Sequence, residues 1–178
     1  MLPERKPNRI PRYDYSTPGA YFVTICARKR QKIFGYLVGG GALDAPRMCL
    51  SEKGAIVEKN LLSGNRIPGM RVDKYVIMPN HLHFILVIDS EGASWAPPPT
   101  RTPANAKLPH FVSVFKRFCN KDAGENLFQR SYYDHVIRNE ADYLNIWEYI
   151  DTNPAKWETD CFFGSNRTEI CDASDFSG

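Results

Sequence analysis

The order of apolar and polar positions divides the chain into short strands and three helices. Residues 21–27 are almost wholly β-branched or aromatic, which predicts a first strand. The runs 36–38 and 48–50 flank Gly39, Gly40 and Gly41, a pattern expected of a hairpin tip. No Gly-Lys-Ser/Thr ending follows, so the triple glycine is not read as a phosphate loop. Ser51 is placed to cap a helix over 52–62, with Glu52 in its first turn and Ala55, Ile56, Lys59 and Leu62 at helical spacing. Residues 71–77 and 82–88 predict two strands joined by a tight turn at Met78, Pro79 and Asn80. The segment 90–109, rich in Pro, Ala, Ser and Thr, reads as a long crossing loop. Phe111, Val114, Phe115 and Phe118 recur at helical spacing within a helix over 108–121, and 128–137 reads as extended. Asn139 is placed to cap a last helix, with Glu140 and Asp142 in its first turn, Leu144, Trp147 and Ile150 on its apolar face, and Pro154 near its end.

This mixture, with an antiparallel pair at its centre, predicts an α+β fold: a ferredoxin-like antiparallel sheet with helices packed on one face. A length of 178 residues suits one domain. The expected organisation is an N-terminal arm over 1–20, a domain over 21–160 and a tail over 161–178.

Composition narrows the setting. No apolar run is long enough to span a bilayer and the N-terminus leads into no signal-peptide core, so a cytoplasmic protein is expected. The five cysteines are scattered and form no C-x-x-C pair, which fits reduced thiols. Charge is uneven. Arg5, Lys6, Arg9, Arg12, Arg28, Lys29, Arg30 and Lys32 face only Glu4 and Asp14 within the first 32 residues, whereas residues 140–178 are strongly acidic. A basic arm interleaved with Tyr13, Tyr15 and Tyr21 suits a polyanion with stackable bases, as it would suit a solvated arm.

The candidate chemistry lies in the strand that begins at His81. Residues at i and i+2 of a strand share a face, so His81 and His83 can address one metal ion. The same pair fits two half-buried imidazoles bonded to neighbours, and a well-held metal needs a further ligand. The last helix offers one. Tyr149 and Asn153 are four apart, hence one turn apart on a shared face: Asn153 can supply an oxygen and Tyr149 a phenol. A phenol ordinarily titrates near pH 10, and a metal that polarises phosphate makes its attack on phosphorus feasible. Two imidazoles are softer than the oxygen shell that Mg²⁺ prefers, so Mn²⁺, Co²⁺ or Zn²⁺ can bind more tightly in vitro.

Three segments carry a family resemblance: Tyr-Phe-Val-Thr-Ile-Cys at 21–26, Tyr-Val-Ile-Met-Pro-Asn-His-Leu-His at 75–83, and the run from Tyr132 through Tyr149 and Asn153 to Lys156 and Trp157. Together they resemble the single-tyrosine HUH transposases, in particular the REP-associated tyrosine transposase branch. The resemblance implies that His81, His83 and Asn153 hold a divalent ion, Mg²⁺ or Mn²⁺, and that Tyr149 is the nucleophile. It implies cleavage of single-stranded DNA beside a hairpin through a 5′-phosphotyrosine intermediate, in a nucleoid-associated protein that is a monomer or a homodimer. Arg5, Lys6, Arg9, Arg12, Tyr13, Arg28, Lys29, Arg30, Arg138 and Lys156 are the expected DNA contacts, with Arg138 and Lys156 flanking the site. Tyr132, Tyr133 and Tyr143 are rival nucleophiles by type but lack a ligand-capable amide one helical turn on. A water-using metal phosphodiesterase and a non-catalytic nucleic-acid-binding domain are the alternatives.

Overall fold

The computed structural model describes residues 13–40, 45–89, 106–160 and 162–163. Its elements are β1 (Gly19–Cys26), β2 (Gly35–Val38), β3 (Arg47–Leu50), α1 (Glu52–Ser63), β4 (Met70–Ile77), β5 (His81–Ile88), α2 (Lys107–Ala123), β6 (Tyr133–Ile137) and α3 (Glu140–Thr152). β4, β5, β1 and β6 form one sheet in that spatial order, every neighbouring pair antiparallel. With α1 and α2 as crossovers this is the expected βαββαβ ferredoxin-like core. β2 and β3 pair separately as a hairpin. No described helix is long and apolar enough to cross a membrane.

The central strands are buried on both faces, and their period of two assigns each residue a side. Tyr21, Val23 and Ile25 of β1 and Leu82, Phe84, Leu86 and Ile88 of β5 pack with Val57 and Leu61 of α1 and Phe111, Val112 and Phe115 of α2. On the opposite face, Phe22 and Ile85 meet Ile146 and Ile150 of α3. Two helices therefore share one face as expected, but α3 lies on the other. The alternation forces this, because the residues that α3 covers are the odd members of β5.

Both expected caps are present. The Ser51 hydroxyl accepts from Gly54 N (3.1 Å) and donates to Ile33 O (2.6 Å), and Asn139 Oδ1 accepts from Asp142 N (2.9 Å). Gly124 ends α2 in the left-handed region, φ 69°. The helical phases differ from the reading of the sequence. α1 buries Gly54, Val57 and Leu61, leaving Leu62 exposed. α2 buries Cys119 in place of Phe118. In α3 Leu144 and Trp147 face outward, 56% and 39% exposed, while Ile146 and Ile150 face in. α2 also starts within the stretch expected to be loop, at Lys107. β6 is shorter than expected, because the carbonyls of Gln129, Arg130 and Ser131 accept from Lys116 Nζ (2.8–3.3 Å). Most of the crossing loop, the first twelve arm residues and most of the tail lie outside the described residues. Phe162, expected in a loosely held tail, is buried.

α1 rests on the backbone just before β2. A Cβ built on Gly54 would lie 2.0 Å from Phe34 O, a carbonyl that also accepts from Ser51 N. On an open helix, glycine to alanine stabilises by about 1 kcal/mol. Here the Gly54→Ala variant should instead lose about 1–3 kcal/mol, read as a lower urea midpoint at unchanged m-value.

Candidate metal and nucleophile site

His81 and His83 share parity with Ile85, so both imidazoles lie on the α3 side of the sheet, fully buried. Their β1 partners in the register are Cys26 and Thr24. Thr24 Oγ1 lies 2.8 Å from His83 Nδ1, and Phe22 stacks on the His83 ring with centroids 5.3 Å apart. The two imidazole centroids are 4.5 Å apart.

Hydrogen bonding fixes the chemistry of His81. Its Nδ1 lies 2.8 Å from Asn80 Oδ1, while Asn80 Nδ2 donates to Phe162 O at 2.7 Å. Asn80 can thus only accept from the ring, so Nδ1 carries the proton and Nε2 presents a lone pair. Among the described residues that Nε2 is buried without a hydrogen-bond partner, as is Asn153 Oδ1. Burial pushes the His83 pKa down to about 3. Burial first, then His83 and Arg30, lower His81 well below the usual range. Both rings are neutral at physiological pH, the state in which imidazole binds metal.

A carboxylate joins them. Ligand atoms of His81, His83 and Asp160 all lie within 4.8 Å of one another, a set able to hold a metal ion. Asp160 sits at the end of the 3₁₀ segment Asn153–Thr159, which carries the backbone past Pro154. Burial raises its pKa, opposed by bonds from Phe162 N and Asn153 and by the charge of Arg30. The residues fit a divalent cation on two grounds: the unpartnered lone pair of His81 and a donor set of imidazole and carboxylate.

Tyr149 enters from α3. Its hydroxyl lies 3.3 Å from His83 Nε2, and its ring stands edge-on to Phe22. Tyr149 and Asn153 share a helix stripe with Ile146 and Ile150, so the packing that seats α3 also aims the phenol. At the start of α3, His135 Nε2 lies 2.9 Å from Asp142 Oδ2. Near its end, Lys74 of β4 bonds Asp151 (2.5 Å) and lies 3.6 Å from the Trp147 ring centroid. Tyr143, one of the rival tyrosines, donates to Asp73. Tyr132 packs against the larger core, and Tyr133 against the cluster beneath α3. His110 is exposed on α2, on the far side of the sheet.

The expected DNA contacts divide. Arg5, Lys6, Arg9 and Arg12 lie outside the described residues. Tyr13 is half-buried in a ring cluster with Tyr15 and Tyr21, its hydroxyl 3.4 Å from that of Tyr21. Arg28 and Lys29 are exposed, whereas the Arg30 guanidinium stacks 5.2 Å from the Phe162 ring centroid. Lys29 and Arg30 both take left-handed backbone angles, φ 54° and 53°, a strained turn at the edge of the site. Lys156 is exposed on the 3₁₀ segment. Arg138 does not flank the histidines. Ile137 pairs with Ala20 and His81 with Cys26, so Arg138 sits at the other end of the sheet, about 20 Å along β1.

Sequence reasoning missed Asp160, Thr24 and the role of Asn80, which it read as only shaping a turn. Lys32, counted only as arm charge, lies 4.5 Å from the Phe163 ring centroid and 5.6 Å from that of Trp157. Of these, Thr24 alone carried a signal: a polar residue on an otherwise apolar strand.

No protein-family model matches the chain. It is 33% identical over 170 residues to an uncharacterized protein of Haemophilus influenzae, covering 88% of this chain and 91% of that one. A second protein of that organism, provisionally named a REP-associated tyrosine transposase, is 27% identical over 82 residues, 45% of this chain and 47% of that one. Among solved structures, a REP-associated tyrosine transposase bound to a REP hairpin superposes with a TM-score of 0.58 at 19% identity, covering 83% of this chain and 73% of that one. The resemblance carried by the three sequence segments is borne out, and the fold is that of a transposase.

The buried imidazoles make stability depend on pH. Their folded pKa values lie below the ordinary 6.5, so below that pH the unfolded chain binds more protons and folding weakens as pH falls. Between pH 7 and 5 the metal-free protein should lose about 2 kcal/mol per histidine, and Mn²⁺, which meets neutral imidazoles in the folded chain at both pH values, should stabilise it at both. Urea titrations across that range, with and without Mn²⁺, measure both effects.

Proposed function

From a chain that belongs to one family with the uncharacterized Haemophilus influenzae protein and has the fold of a REP-associated tyrosine transposase, we propose a metal-dependent strand transferase. It acts on single-stranded DNA beside a hairpin. The observation that carries this reading is the Tyr149 hydroxyl, 3.3 Å from the Nε2 of a buried, neutral histidine. A cation held by His81, His83 and Asn153, Mg²⁺ or Mn²⁺, would bring a phosphate to this phenol.

When bound there, a divalent cation supplies Lewis-acid stabilisation of the charge that builds on the phosphate oxygens. The chain's own residues do the rest. α3 holds the Tyr149 oxygen against the site, so attack loses little orientational entropy. The Tyr149 Oη–P bond forms as the P–O3′ bond breaks, and the phenolic proton is balanced by the one the departing 3′ oxygen gains. The products are a 5′-phosphotyrosine and a free 3′-hydroxyl. The ester conserves the energy of the broken linkage, so the same 3′-hydroxyl, or another, can reverse the exchange. Arg28, Lys29, Arg30, Lys32 and Lys156 lie on segments that lead to the histidines and suit a phosphate backbone.

A hairpin-bearing single strand incubated with protein and Mn²⁺ should yield a covalent adduct on a denaturing gel. EDTA should abolish it, and Tyr149→Phe should reduce cleavage by about three orders of magnitude or more. Cleavage that persists without an adduct in Tyr149→Phe would identify water as the nucleophile instead. Hairpin binding indifferent to chelator, with no cleavage, would identify a binding domain.

A further inference from the structure

Asp160 lies eleven residues past Tyr149, beyond the helix that carries the nucleophile, and yet reaches the histidines. Its oxygens are individually held. Oδ1 accepts from Phe162 N at 2.7 Å, and Oδ2 accepts from Asn153 Nδ2 at 3.1 Å. Each carboxylate oxygen offers two lone-pair directions, so these bonds orient the group and leave it able to bind a cation. The backbone that delivers it is pinned as well. Phe162 O accepts from Asn80, the residue whose other amide atom fixes the His81 tautomer. The Phe162 ring packs 4.5 Å from the His81 ring centroid. One amide, Asn80, therefore sets both the histidine and the segment that carries the acid.

We propose that Asp160 is a protein ligand to the divalent cation, beside His81 and His83, and that Asn153 orients it through Nδ2 while its own Oδ1 remains available to bind. This inference rests on the metal-dependent reading above and extends it. A carboxylate changes what the site selects. Two imidazoles and an amide favour softer ions, whereas an anionic oxygen hardens the set toward Mn²⁺ and Mg²⁺. It also cancels one of the two positive charges of the ion, which weakens but does not remove its pull on phosphate.

Mn²⁺ and Zn²⁺ affinities measured by calorimetry on the full chain test the assignment. Asp160→Asn keeps a side chain of the same shape and should weaken Mn²⁺ binding at least about tenfold, with a smaller loss for Zn²⁺. Glu158→Gln, an exposed carboxylate two residues away, should leave both unchanged. Asp160→Asn binding Mn²⁺ within twofold of the parent protein overturns the proposal. A second measurement needs no variant. Mn²⁺ bound to protein carrying ¹³C in its aspartate carboxylates should show a ¹³C coupling by electron–nuclear double resonance, and its absence overturns the proposal equally. Failure here is separable from failure of the strand-transferase reading. An adduct with unchanged metal affinity in Asp160→Asn sinks only the ligand. Lost affinity in Asp160→Asn, with no adduct from the parent protein, sinks only the transferase.

Discussion

Strand β5 has water on neither face, and that constraint fixes the rest of the molecule. Its even residues fill the core under α1 and α2, so its odd residues must point at α3, and two of those are histidines. A slip of one residue in register would send the imidazoles into the larger core and expel Leu82 and Phe84 from it. The packing beneath α1 and α2 thus guarantees the orientation of groups it never touches. The dryness that results is costly, about 1–3 kcal/mol for a buried polar atom left without a partner. Thr24 and Asn80 relieve it at the two Nδ1 atoms. Among the described residues nothing does so at His81 Nε2. A site that leaves this atom and Asn153 Oδ1 both unsatisfied is organised for something it holds.

α3 is an addition to the βαββαβ core, and its attachments explain how one side chain can be aimed from it. The helix leaves β6 and ends against β4, the opposite edge of the sheet, so it spans β1 and β5 between them. Its fully buried contacts are Ile146 and Ile150 on Phe22 and Ile85, with partly buried side chains around them, Tyr143 and Tyr149 of the helix included. The ends are tied by polar groups, His135 with Asp142 at the start and Lys74 with Asp151 at the finish. Polar pairs of this kind near the surface are each worth at most about 1 kcal/mol, so they set the angle of the helix more than its stability. A small apolar contact with tethered ends holds the phenol in place without burying it.

Strand parity is legible in the sequence, and helix phase is not. Alternation in β1 and β5 is strict, so the amino-acid order alone places His81 and His83 on one face. α1 offers two apolar stripes, Ala55 with Leu62 and Val57 with Leu61, and spacing cannot choose between them. The buried Gly54, which lets the helix approach Phe34, makes the choice. In α3 the apolar Leu144 and Trp147 suggest one face, while Tyr149 and Asn153 lie on the other. The inward face there is half polar because it is the site, and so by pattern it resembles a solvent side. Asp160 is out of reach for a different reason. Pro154 marks the end of the helix, but the chain continues in 3₁₀ turns that fold back over the histidines. No local pattern announces a return of that kind.

The acidic C-terminal third sits awkwardly with a polyanionic partner, and the fold resolves part of the conflict. Asp142 holds His135, Asp151 holds Lys74, and Asp160 lies with the metal-site histidines. Asp151 is paired with a fixed cation, Asp160 lies within the field of Arg30, and Asp142 is held by hydrogen bonds, so these carboxylates are committed to protein groups. Arg30 and Lys32 rest over the rings of Phe162, Trp157 and Phe163, of which Phe162 and Trp157 border His81. A cation resting on an aromatic face keeps its charge available to a phosphate. Net charge summed along the sequence therefore understates how positive the approach to the histidines is. What a nucleic acid meets is decided by which acids are already spoken for.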